Sequence, residues 1–184
     1  MYKHSIFILG IVSLIGCQKE EQDRLPDITS TGANTAGANI NGKVLVASNI
    51  YAGSSVLPAV YGGYAYDQQI HVTLFGRLSE QVVHIDLFVT QATQPGTYFF
   101  DQPTPRMPEA LPDQVQNNYA TFIYNKSGRT YATDATHTGQ VVITHGERGA
   151  KNGIAGTFSF TAANVDDPAD VLRIEQGRFD IAAQ

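Results

Sequence analysis

The chain has 184 residues, 42% of them hydrophobic and 16% charged, with 12 basic against 17 acidic side chains and a formal net charge of −5. That balance leaves no basic stripe for phosphate contacts and excludes nucleic acid as an expected partner. A single cysteine excludes an intramolecular disulfide, so the core has to hold the fold unaided.

The first four residues carry one firm positive charge, Lys3, and are followed by the apolar run 5–16 and then Cys17. This is the layout of a secretory leader. The run is too short for a transmembrane helix, which needs about 20 apolar residues. Leu14-Ile15-Gly16-Cys17 is similar to the bacterial lipobox, in which a small residue precedes a cysteine that is acylated and becomes the new N-terminus. Residues 1–16 are therefore expected to be removed and Cys17 to carry lipid chains of the palmitate type. Two or three chains, at about 0.8 kcal/mol per buried methylene, hold far more firmly than one. The 168 residues that remain carry 11 basic and 17 acidic side chains and suit one domain.

Residues 17–38 are polar beyond the cysteine, rich in Gly, Asn and Thr, and predict a lipidated flexible tether. Gln18-Lys19-Glu20-Glu21 is similar to the Lys-plus-acidic signal that sends lipoproteins of Bacteroidetes-type bacteria to the outer face of the outer membrane. Cell-surface display is expected over the periplasmic side.

From Asn39 to the end, 39–184, the pattern has period two, with turn residues between the runs, and predicts a single all-β domain. Asn41-Gly42 is the preferred pair for a type I′ hairpin ahead of Val44-Leu45-Val46. Residues 51–66 interrupt the strand pattern with Tyr51, Tyr61, Tyr64 and Tyr66 among Gly53, Gly62 and Gly63. Segments 70–74 and 82–89 predict a hairpin turning at Leu78-Ser79, which places Ile70, Val72 and Leu74 opposite Leu87, Ile85 and Val83. The other face then carries His71, Thr73 and Phe75 opposite Asp86, His84 and Val82.

Further strands are expected at 96–100, 119–124, 140–145, 154–163 and 171–182. In the last, the apolar parity changes at Gly177, which predicts a bulge there. Residues 101–116 hold Pro103, Pro105, Pro108 and Pro112, which exclude a central strand and predict a long surface loop. Eight to ten short strands without helices predict an antiparallel β-sandwich, with a β-barrel as the alternative.

Two segments carry a family resemblance: Thr31-Gly32-Ala33-Asn34-Thr35 leading into Asn41-Gly42-Lys43-Val44, and Gly156-Thr157-Phe158-Ser159-Phe160-Thr161-Ala162 closing with Gly177-Arg178-Phe179-Asp180. The chain resembles a family of uncharacterised Bacteroidetes lipoproteins of unknown function. The resemblance implies a lipid-anchored β domain and supplies no catalytic residues. This chain differs from the family pattern in having Ala36 and Ala38 in its first strand.

His71, His84 and Asp86 share one face of the expected hairpin, and two imidazoles with a carboxylate suit zinc or iron. The polar outer face of an antiparallel sheet accounts for the same three residues, and no metal ligand is assigned to them. His137 and His145 stand alone. Residues 164–170, with Asn164, Asp166, Asp167 and Asp170, offer oxygens to calcium but lack the glycine and terminal glutamate of the helix-loop-helix pattern; a polar turn is expected. The tyrosines suit either strand packing or stacking on a sugar.

No phosphate loop, dinucleotide glycine pattern or nucleophile elbow occurs. No catalytic residue and no cofactor is assigned. The expectation is a non-enzymatic, lipid-anchored envelope protein presenting its proline-rich loop and tyrosine segment to a protein or glycan. The alternatives are a metal-dependent hydrolase using His71, His84 and Asp86, and a purely structural envelope protein.

Overall fold

The alternation of apolar and polar side chains is realised as thirteen strands, with no helix, among the residues that the computed structural model describes: 24–65, 69–104, 117–146 and 153–183. The leader, Cys17, residues 18–21, Tyr66 and the 105–116 part of the proline-rich segment lie outside them. Asn41 and Gly42, at φ 47° and 82°, form the turn between β1 (Thr35–Ile40) and β2 (Lys43–Val46), as a type I′ hairpin requires.

A separate small hairpin follows, β3 (Ile50–Ala52) with β4 (Ser55–Leu57). Next come β5 (Val60–Ala65), β6 (Gln69–Leu78), β7 (Gln81–Val89) and β8 (Gly96–Phe100). The chain ends with β9 (Tyr119–Tyr124), β10 (Arg129–Ala132), β11 (Gly139–His145), β12 (Ile154–Asn164) and β13 (Val171–Ile181). The count exceeds the eight to ten expected because the tyrosine segment 51–66, which interrupts the period-two pattern, holds most of β3 and all of β4 and β5, and because the four-residue β10 is too short to show a period.

Eleven strands make one antiparallel sheet in the order β2-β1-β13-β12-β10-β9-β7-β6-β5, with β11 on β12 and β8 on β11. The sheet curls until β2 meets β6: Ala47 bridges Gly76, and the Ser48 N–H donates to the Phe75 carbonyl. A Cβ at Gly76 would stand 2.7 Å from Leu45 Cδ1, so this close approach needs glycine. The all-β antiparallel class therefore holds, its two facing layers being opposite walls of one curled sheet. One apolar cluster fills the space between them, with Leu45, Leu74, Ile85, Phe122, Ile174 and Phe179 all buried.

The β6–β7 hairpin differs in register from the expectation. Ser79 and Glu80, at φ 48° and 66°, form the turn, and Ile70, Val72 and Leu74 face Val89, Leu87 and Ile85. The shift is two residues, a full side-chain period, so every side chain stays on the expected face while its partner changes. The bulge in β13 lies one position before the expected Gly177. Phe158 pairs with Gly177 and Phe160 with Ile174, Gln176 adopts φ 52°, and Leu172, Ile174, Phe179 and Ile181 are all buried as a result. The Phe158 ring covers Gly177 and fills the place of a Cβ.

The first described residues are packed onto the barrel ahead of β1. Asp180, only 3% exposed, accepts hydrogen bonds from Thr29 Oγ1 (2.6 Å), Gly32 N–H (2.8 Å), Thr31 N–H (2.9 Å) and Ala33 N–H (3.2 Å), with Thr31 Oγ1 at 3.4 Å. Arg178 Nη1 donates to the Pro26 carbonyl, and the Ala182 N–H donates to Asn34 Oδ1. The part of the expected tether from Pro26 on is thus held by β13 and its end, and residues 35–38 are strand.

Burial raises the Asp180 carboxyl pKa, but the hydrogen bonds of Thr29, Thr31, Ala33 and Gly32 outweigh it and hold the group below the usual carboxylate value. A depressed folded-state pKa adds stability above the unfolded value of about 3.9, lost as pH falls through the folded value. Asp180→Ala is therefore expected to cost about 2–4 kcal/mol at pH 7, and the gap between variant and wild type should narrow only below about pH 4. Urea denaturation of both proteins across pH checks this.

Candidate functional site

The outer wall of β5, β6, β7 and β9 carries a second buried layer on the side away from the core. The ladder places Tyr61 opposite Thr73, Thr73 opposite Asp86, and Asp86 opposite Thr121. Asp86 sits in the middle and is 8% exposed. Its Oδ1 accepts the Thr73 hydroxyl proton at 2.6 Å and has His71 Nε2 at 3.4 Å, while Oδ2 has His84 Nε2 at 3.3 Å and the Thr121 hydroxyl at 3.5 Å. The Thr73 oxygen in turn lies 3.1 Å from His71 Nε2, and His84 Nδ1 lies 3.0 Å from Asn125 Oδ1.

Aromatic rings wall this network. The His71 ring stacks on Phe88 at 4.1 Å, Phe88 stacks on Tyr119 at 4.5 Å, and Tyr61 stacks on Phe75 at 6.1 Å. Burial pushes the Asp86 pKa up, but the hydrogen bonds of His71 and His84, the His84 charge and the Thr73 hydroxyl together bring it well below the usual carboxylate range. Burial, and then the charge of Asp86, push the Tyr119 hydroxyl above its ordinary value.

The three residues expected to share a face are thus brought together, with one correction. His71 stands opposite Phe88, not Asp86, and reaches the carboxylate diagonally because of the two-residue register shift. Both Nε2 atoms are turned onto separate oxygens of one carboxylate, and among the described residues no group of three or more His, Cys, Asp or Glu side chains is arranged to hold a metal. The arrangement suits a hydrogen-bonded network around a buried carboxylate that ties three strands together. Asp86→Ala leaves two imidazoles and Thr73 without their acceptor and is expected to cost about 2–4 kcal/mol. The wild-type urea midpoint is expected to be the same with chelator and with added zinc; a rise with zinc would restore a ligand role.

Residues 164–170 form the expected polar turn. The Asp166 N–H donates to Asn164 Oδ1, Asn164 Nδ2 donates to Asp170 Oδ2, and the Tyr131 hydroxyl donates to the same Asp170 oxygen at 2.7 Å. His137 is held by Asp134, whose Oδ1 also accepts the Thr136 and His137 N–H groups. His145 ends β11 with its Nε2 buried and without a hydrogen-bond partner among the described residues.

The tyrosines are dispersed. Tyr51 stands on the β3–β4 hairpin and Tyr61 on the outer wall, while Tyr64 packs against the core with its hydroxyl on the Gly146 carbonyl. None of these three lines the cleft where the proline-rich segment begins. That cleft, of about 490 Å³, lies between Pro103 and Thr104 on one side and the turn after β12 on the other. Thr130, Thr133, Asp134 and Asn164 give it polar walls, buried Ala132 and Ala163 give it a small apolar floor, and Val165 adds an exposed apolar side chain. Nothing in the sequence signalled it, because its residues come from the segment after β8, from β10 and its end, and from the turn after β12, and together carry no motif.

A curled antiparallel sheet with a buried carboxylate network on its outer wall defines the structural class of the protein. Residues 63–181 match the family described as "Domain of unknown function (DUF6252)", and the chain belongs to that family. The matched region holds the Asp86 network, the cleft and the 156–162 and 177–180 segments; β1 to β4 and the 31–35 segment precede it. No curated protein and no solved structure matches the chain.

Proposed function

We propose that the protein is a non-enzymatic, lipid-anchored envelope protein, held by acyl chains on Cys17 at the cell-surface side of the outer membrane, that binds a glycan or protein partner through its cleft. The observation that carries the binding role is the chemistry of that cleft. Hydroxyl, carboxamide and carboxylate groups surround a small apolar floor, a combination that recognises a ligand by a few placed hydrogen bonds over a nonpolar contact. Support for a non-catalytic role comes from the Asp86 network, whose carboxylate and two imidazole nitrogens are turned on one another.

The lipobox-like residues 14–17 and the adjacent Lys19-Glu20-Glu21 support the anchor and the surface address. They agree with the resemblance to Bacteroidetes lipoproteins. Cys17→Ser is expected to lose palmitate labelling and to move from the membrane to the soluble fraction; equal membrane recovery would refute the anchor.

The binding role is tested with a photo-crosslinking residue placed at Thr130 in intact cells, against the same residue at Phe99, which is exposed on β8. A discrete protein or glycan adduct is expected from position 130 and none from position 99. The same crosslinking pattern at both positions would overturn the cleft as the binding site.

A further inference from the structure

Residues 44–66 form the longest stretch of the chain without an acidic, basic or histidine side chain, 23 residues in a protein of net negative charge. Its centre is the β3–β4 hairpin, which leaves the barrel wall between Ser48 and Ala59. Both flanks are fastened to one residue of β6: the Ser48 N–H donates to the Phe75 carbonyl, and the Phe75 N–H donates to the Ala59 carbonyl. The hairpin root is further fixed by the Ala59 N–H on Asn49 Oδ1 and by buried Ile50, which lies opposite Leu57.

Beyond the root, Gly53 at φ 62° and Ser54 make the turn, in the Gly-X order of a type II′ hairpin. Tyr51 and Val56 are directly opposed, so their side chains lie on the same face. They are 73% and 50% exposed, an aromatic and an aliphatic group carried outward on an uncharged hairpin.

The hairpin stands beside the N-terminal entry to the barrel. Asn34, Asn49, Pro58 and Ala182 line one cleft, so the hairpin root adjoins the point where the Asp180-held segment turns into β1. That segment is packed on the barrel from Leu25, whose side chain approaches Gly37. Cys17 precedes Leu25 by eight residues, and eight extended residues reach at most about 28 Å. An anchor at Cys17 therefore keeps this side of the barrel close to the bilayer.

An acidic protein meets repulsion from an anionic lipid surface wherever it presents carboxylates. The uncharged hairpin presents none, and tyrosine is a residue favoured at the membrane–water interface. We propose that the β3–β4 hairpin is a second membrane contact, with Tyr51 and Val56 resting in the headgroup region of the bilayer that holds the lipid. This inference depends on the Cys17 anchor proposed above. The contact orients the barrel on the membrane, whereas the lipid alone only tethers it.

The chain contains no tryptophan, so Tyr51→Trp, Val56→Trp and Phe99→Trp each create a single fluorescent reporter. Phe99 is the control: it is 55% exposed and lies on β8, which pairs with β11 and through it with β12, six strand-to-strand steps from β6 by either path of the pairing round the curl. Full-length acylated protein of each variant is reconstituted into vesicles of mixed neutral and anionic phospholipid, with and without brominated acyl chains.

Emission from positions 51 and 56 is expected to shift to shorter wavelength on reconstitution and to be quenched by brominated lipid severalfold more than emission from position 99. Equal quenching at all three positions, or none at 51 and 56, overturns the inference. So does a shift at 51 or 56 that depends on protein concentration and not on lipid, which would assign the hairpin to contact between copies. Sedimentation with the vesicles separates the two proposals. Failure of the acylated protein to co-sediment refutes the anchor itself, whereas co-sedimentation without quenching at 51 and 56 refutes only the hairpin contact.

Discussion

A carboxylate withdrawn from water has to be met by donors, and Asp180 is met by residues from the other end of the domain. Thr29, Thr31, Gly32 and Ala33 converge on it from a segment that Arg178 and Ala182 also hold, through the Pro26 carbonyl and Asn34 Oδ1. The consequence is geometric as well as energetic. With the segment 29–34 folded onto the last strand, β1 is fed into the sheet beside β13, β2 follows by the Asn41-Gly42 turn, and Ala47 arrives where it can bridge Gly76. A contact between residues about 150 positions apart in sequence thus reinforces the β1–β13 ladder on which the curl of the sheet is built.

The Asp86 network performs a related task on the opposite strands. A flat outer wall of a small antiparallel sheet is ordinarily polar and solvated, yet here Asp86, Thr73, Thr121, Phe88 and Tyr119 are all buried. The charge is tolerated because both carboxylate oxygens have partners, and the surrounding rings exclude water without competing for hydrogen bonds. Breaking such a group of contacts by removing one member costs far more than the group contributes relative to a well-packed apolar replacement.

What could be read from the sequence follows from which physical signals are local. The Asn41-Gly42 turn was legible because two left-handed residues in succession demand that chemistry, and the faces of β6 and β7 because alternation survives any even shift of register. The register itself was not legible, since Ser79 and Glu80 occupy the turn without glycine or asparagine to mark it. The bulge was visible as a change of parity near Gly177, though its left-handed residue is Gln176. The 31–35 and 177–180 segments stand out in the sequence, but what joins them, the buried Asp180 acceptor, is a tertiary fact. The β3–β4 hairpin was hidden for a simpler reason: strands of three residues are too short to display a period.

Two surfaces with different chemistry emerge from one scaffold. The cleft beside the turn after β12 combines fixed polar groups with a small apolar floor, while the β3–β4 hairpin offers exposed apolar groups without charge. The hairpin root adjoins the N-terminal segment, which the Asp180 carboxylate ties to β13. Amide hydrogen exchange of the wild-type protein tests that tie most directly. The Thr31, Gly32 and Ala33 amides are predicted to be protected to the same degree as the amides of β13, exchanging only when that strand opens; exchange of these three at the rate of an unstructured peptide would contradict the account.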